Sequence, residues 1–151
     1  MVKWLGVFAV ALFSLTAVGA PQPYDEHADA RVTLQQGLDA ARASGKQVLV
    51  VFGANWCKDC RELDKALHGR TASLIDARFV VVKIDVGNFD KNLDVVKRYG
   101  YPIGKGIPAA VVLNADDKVL YATRAGELAD ARHMGDDGIY DFFAKVVPAR
   151  Q

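Results

Sequence analysis

The residues best suited to chemistry are Cys57 and Cys60, the only cysteines in the chain, which enclose Lys58 and Asp59. A thiolate, not a thiol, is the reactive form of cysteine, and a free thiol is mostly protonated at neutral pH. Cys57 falls where an apolar run, Val48-Leu49-Val50-Val51-Phe52, gives way to helical spacing at Cys60, Leu63 and Leu67. A cysteine at a helix start meets unpaired backbone N–H groups and the positive end of the helix dipole, both of which favour a negative sulfur. Lys58 and Arg61 act in the same direction and Asp59 opposes them. Cys60, one turn further on, brings its sulfur within reach of Cys57. This arrangement suits attack by Cys57 on a disulfide and resolution of the mixed disulfide by Cys60.

Other uses of a Cys-x-x-Cys pair are weaker on the same residues. As a structural disulfide it closes a loop of four residues, which removes only about 2 kcal/mol of chain entropy. As a zinc site it supplies two of the usual four ligands, and His27, His68 and His133 have no ligand spacing. As a haem attachment site it lacks the following histidine, because Arg61 stands there.

The elements that must hold this pair alternate along the chain. Leu34, Leu38 and Ala41 predict a helix capped by Thr33 and stopped at Ser44-Gly45. Residues 48–52 read as a strand buried on both faces. The Cys57 helix ends at His68-Gly69, and 79–85 is a second strand. Phe89, Leu93 and Val96 predict a helix to Tyr99-Gly100, and 101–106 a loop. Residues 109–113 and 118–123 surround an Asn-Ala-Asp-Asp turn and predict a hairpin. Residues 126–138 read as irregular, and Ile139, Phe142, Phe143 and Val146 as the face of a last helix. The order α-β-α-β-α-β-β-α predicts an α/β sandwich around a mixed sheet.

The chain has 151 residues, enough for one domain with a core of its own. A hydrophobic fraction of 51% excludes a disordered chain, and a net charge of +1 removes any global electrostatic case for nucleic acid. Lys3, the uncharged run Trp4–Ala20 and the small residues Ala17-Val18-Gly19-Ala20 before Pro21 read as a secretory signal, residues 1–20, cleaved near Ala20. An uncleaved anchor is the alternative. Either places the domain in a periplasmic or secreted, disulfide-permissive setting. Residues 21–31 read as a polar linker and 32–151 as the domain.

The segment Val48–Cys60, with its Ala-x-Trp-Cys-x-x-Cys and following Arg61, resembles the active-site segment of the thioredoxin-fold family. Lys97-Arg98-Tyr99-Gly100 and Gly106-Ile107-Pro108 resemble that family's Tyr-Gly and Gly-Ile-Pro segments. The resemblance covers residues 32–147 and is strongest to the secreted subgroup that includes the C-terminal domain of the membrane reductase DsbD. It implies a thioredoxin fold with a central mixed sheet of about four strands flanked by helices. It also implies thiol-disulfide oxidoreductase activity on protein disulfides or dithiols, with no dissociable cofactor and a membrane redox partner. Cys57 and Cys60 correspond to the catalytic pair, with Trp56, Ile107 and Pro108 beside the substrate. Pro108 corresponds to a cis proline, and Ile107 to the residue that pairs with substrate backbone.

Three departures stand out. Lys58-Asp59 replaces Gly-Pro between the cysteines, Val51 replaces a buried aspartate six residues before the first cysteine, and the 101–105 loop is longer. Two rivals follow from the same fold: a non-catalytic binding module with a structural disulfide, and a copper-handling protein. The second would want His or Met beside the pair, and none is near in sequence.

Overall fold

A computed structural model describes residues 22–146. A four-stranded sheet in the order β2-β1-β3-β4 forms its centre. Strand β1 (Gln47–Gly53) runs parallel to β2 (Phe79–Asp85) and antiparallel to β3 (Ala109–Leu113), which pairs antiparallel with β4 (Val119–Ala122). The mixed sheet is as expected from the order of elements, and the expected leader, residues 1–20, lies outside the described residues.

The continuous apolar run of β1 is explained by two cores. Successive side chains on a strand point to opposite faces. Val48, Val50 and Phe52 therefore enter one apolar layer, while Leu49 and Val51 enter the other. β3 divides in the same way, Val111 facing the first layer and Val112 the second. The first layer is closed by α1 (Ala30–Ser44) and α4 (Leu93–Arg98), the second by α2 (Lys58–His68), α3 (Ala72–Arg78) and α5 (Ala131–Val146). Each fully buried Leu, Ile or Phe contributes about 2 kcal/mol relative to an exposed one.

Several boundaries differ from those read in the sequence. Asp29, not Thr33, caps α1: its carboxylate accepts the N–H groups of Arg31 and Val32 at 2.9 and 3.2 Å. Thr33 lies inside the first turn, and its hydroxyl donates to the Asp29 carbonyl. Helix α3 has no sequence signature, because its seven residues bury only Ile75 and so carry no periodicity. Phe89 is not on α4; it sits in the preceding turn with φ 64°. The stretch 126–138 is partly helical, since α5 begins at Ala131 and breaks at Gly135, whose φ of 64° a glycine adopts freely.

The segment read as a linker is docked on the domain. Tyr24 is 3% exposed. Its backbone N–H donates to Asn55 Oδ1 at 3.0 Å, and Asn55 Nδ2 donates to its carbonyl at 2.8 Å. A second Asn55 Nδ2 contact, 2.9 Å, reaches Glu26. The amide thus imitates a strand partner and pins the segment as a strap beside Cys57.

Candidate active site

Strand β1 ends at Gly53, and Ala54-Asn55-Trp56 carries the chain to Cys57, the N-cap of α2. The cysteines form a disulfide with Cα atoms 5.2 Å apart. Cys57 is 5% exposed and Cys60 fully buried, so an incoming sulfur meets Cys57 first. The Cys60 backbone N–H donates to Cys57 Sγ at 3.1 Å. That N–H is one of the donors a helix start leaves without an intrahelical partner, and it remains in place to stabilise a thiolate once the disulfide opens.

The opposite wall is Ile107-Pro108. Their peptide bond is cis, and the Ile107 carbonyl oxygen lies 3.7 Å from Cys57 Sγ. Both residues are buried, at the entrance to β3. The structure therefore brings together Cys57, Cys60, Ile107 and Pro108 from segments fifty residues apart.

Trp56 lies next to Cys57 at the surface. It is 55% exposed, its indole Nε1 donates to the Gly87 carbonyl at 2.9 Å, and its ring stands 6.3 Å from that of Phe89. Phe89, 40% exposed, thereby joins the rim of the site. Helical spacing had concealed it, because the positive φ that turns it outward has no signature at a phenylalanine.

The charges around Cys57 are distributed differently from the sequence reading. Arg61 Nη1 donates to the Asn55 carbonyl at 2.7 Å and so braces the loop. Asp59 does not simply cancel Lys58: it accepts from Arg132 N and Nε at 3.0 and 3.1 Å, across to α5. Burial alone would raise the Asp59 pKa, but these Arg132 bonds outweigh it and hold the carboxyl below its usual range. Lys58 is exposed and remains as the cation next to Cys57. Asp85, at the end of β2, is a buried turn residue: its Oδ1 accepts the Gly87 N–H at 3.2 Å, and its Oδ2 lies 3.4 Å from Lys91 Nζ without a hydrogen bond. Among known structures, the chain is similar to a disulphide isomerase from Xylella fastidiosa, 57% identical over 83% of this chain and 97% of that one, with a TM-score of 0.81. It is also similar to the oxidised C-terminal domain of DsbD from Neisseria meningitidis, 25% identical over 63% of this chain and 82% of that one, with a TM-score of 0.50. A curated relative, the thiol:disulfide interchange protein DsbD of Pseudomonas fluorescens, is 31% identical over 65% of this chain, which spans only 17% of that protein's length. A family model described as thioredoxin-like matches residues 29–115, the stretch that runs from the cap of α1 through both halves of the site, and the chain belongs to that family.

Proposed function

We propose that the protein is a thiol-disulfide oxidoreductase that exchanges its Cys57–Cys60 disulfide with protein disulfides or dithiols, acting outside the cytoplasm as a reductant. The observation that carries this reading is the Cys57 sulfur capping α2, hydrogen-bonded by the Cys60 N–H and faced by the Ile107 carbonyl 3.7 Å away. The similar proteins, a disulphide isomerase and DsbD, support the same chemistry.

In the reducing direction the Cys57 thiolate attacks a substrate disulfide. The new S–S bond joins Cys57 to one substrate sulfur, and the other leaves with the electron pair and takes up a proton. The Cys60 thiolate then attacks Cys57 Sγ, the mixed disulfide breaks, and the second substrate sulfur leaves as a thiol. Two electrons pass from the protein's dithiol to the substrate. Trp56 and Phe89 offer an apolar rim for the segments flanking the substrate cysteine, and the Ile107 backbone offers an edge for its main chain. A membrane partner returns the pair to the dithiol form, since the compartment itself oxidises thiols.

Direction follows from thiolate stability. A strong oxidant needs a greatly stabilised reduced form, whereas a single N–H bond and one exposed lysine beside Cys57 provide modest stabilisation. The expected potential is nearer to that of thioredoxin, about −270 mV, than to that of DsbA, about −120 mV. Equilibration against a dithiothreitol or glutathione series measures it, and a value above about −150 mV would make the protein a disulfide donor instead. Export is tested separately: the mass of protein recovered from the periplasm is expected to place the mature N-terminus at or next to Pro21, and a chain retaining residues 4–20 would be an anchored form.

A further inference from the structure

Resolution by Cys60 poses a problem that the two cysteines do not solve. Cys60 is fully buried in an apolar layer, where a thiol ionises reluctantly. Val51 offers no help, because it is apolar and belongs to the opposite layer. A polar atom of the strap reaches the same side of Gly53 as the Cys60 sulfur. The Tyr24 hydroxyl and Cys60 Sγ converge on the empty side of Gly53: a Cβ built there would lie 2.2 Å from the hydroxyl oxygen and 2.9 Å from the sulfur. Gly53 is thus the residue that leaves room for the hydroxyl, and any side chain at 53 would displace it. Asn55 fixes the strap by its paired bonds to the Tyr24 backbone, so the ring is held at this depth.

We propose that the Tyr24 hydroxyl is the hydrogen-bond donor that receives Cys60 as it becomes a thiolate, so that the N-terminal strap completes the redox site. The proposal rests on the oxidoreductase reading and deepens it. When Cys60 ionises, its proton leaves to solvent or to the departing substrate sulfur. Tyr24 keeps its own proton and donates a hydrogen bond to the anionic sulfur until that sulfur's electron pair forms the bond to Cys57. Burial, with smaller contributions from the Asp64 and Asp85 carboxylates, raises the phenol's pKa and keeps it a neutral donor. Those carboxylates are themselves faced by cations, Asp64 by Lys83 and Asp85 by Lys91.

The test separates the two chemical steps. Reduced protein reacts with 5,5′-dithiobis(2-nitrobenzoate) and releases one thionitrobenzoate when Cys57 attacks and a second when Cys60 resolves the adduct. Stopped-flow absorbance between pH 6 and 10 follows both. Tyr24→Phe keeps the ring and removes the hydroxyl. It is expected to slow the second release about tenfold at neutral pH and to move its pH midpoint up by about one unit, with the first release unchanged. Asn55→Ala, which leaves Tyr24 and Gly53 intact but removes the paired bonds that hold the strap, is expected to slow the same step, and it carries the test if Tyr24→Phe does not fold. An unchanged second release, or equal slowing of both releases, would overturn the role of Tyr24. Parent protein that releases only one thionitrobenzoate would instead overturn the oxidoreductase reading itself.

Discussion

Cys60→Ser is expected to turn the protein into a trap. Cys57 keeps its position as the N-cap of α2, although the capping N–H now belongs to a serine, and it still attacks an incoming disulfide. Without a second thiol the mixed disulfide persists, and turnover of a protein disulfide is expected to fall by about 10³-fold or more. Non-reducing electrophoresis should show covalent adducts joined through Cys57, and dithiothreitol should dissolve them. Cys57→Ser should lose turnover to the same extent and form no adducts, because the remaining thiol is fully buried. The two variants thus fail differently, and the difference assigns the attacking and resolving sulfurs. Adducts formed more readily by Cys57→Ser than by Cys60→Ser would reverse the assignment.

Val51→Asp is expected to destabilise the fold by about 3 kcal/mol or more at neutral pH. Val51 is 1% exposed in the second apolar layer, and Lys83, its register partner on β2, is already paired with Asp64. An ionised carboxylate at 51 therefore enters an apolar site without a free cation, and its pKa in the folded state must rise. The sign of the pH dependence follows. Below about pH 4 both folded and unfolded chains carry the neutral acid, so the deficit is smallest. As pH rises the unfolded chain ionises first, and the deficit grows until the folded-state pKa is passed. Urea unfolding of parent and variant at pH 4 and pH 7 measures both values. A variant as stable as the parent at pH 7 would mean that the second layer holds polar groups or water around position 51.

How legible each feature was depended on whether its cause is local. The strand 48–52 and the Cys57 helix were readable because period and capping are encoded within a few residues. β1 required nothing beyond a run of apolar side chains, since it lies between two layers. The pairing of Cys57 with Ile107-Pro108 came from a family resemblance, and no spacing rule joins residues fifty apart. The strap was opaque for a related reason. Tyr24 stands in a polar, proline-containing stretch with no periodicity, and its burial depends on an asparagine 31 residues away and on a glycine that leaves room for a ring. The spacing of Phe89 to Leu93 and Val96 fits a helix, whereas the turn built on Asp85 and Gly87 rotates it outward to Trp56. Asp59 looked like a charge cancelling its neighbour Lys58, and only the packing of α5 on α2 shows that Arg132 takes it instead. Local charge arithmetic thus gave the correct residues and the wrong partners.

Whether the Cys57–Cys60 pair exchanges electrons with protein disulfides is decided by stoichiometric exchange. Fully reduced protein, freed of small thiols, is mixed with a disulfide-bonded protein such as insulin, and quenched samples are separated and their thiols counted. The expected result is two new thiols in the substrate for each Cys57–Cys60 disulfide formed, with a transient adduct through Cys57. A substrate that retains all its disulfides while the Cys57–Cys60 dithiol stays reduced would show that the pair does not exchange electrons and is a structural link.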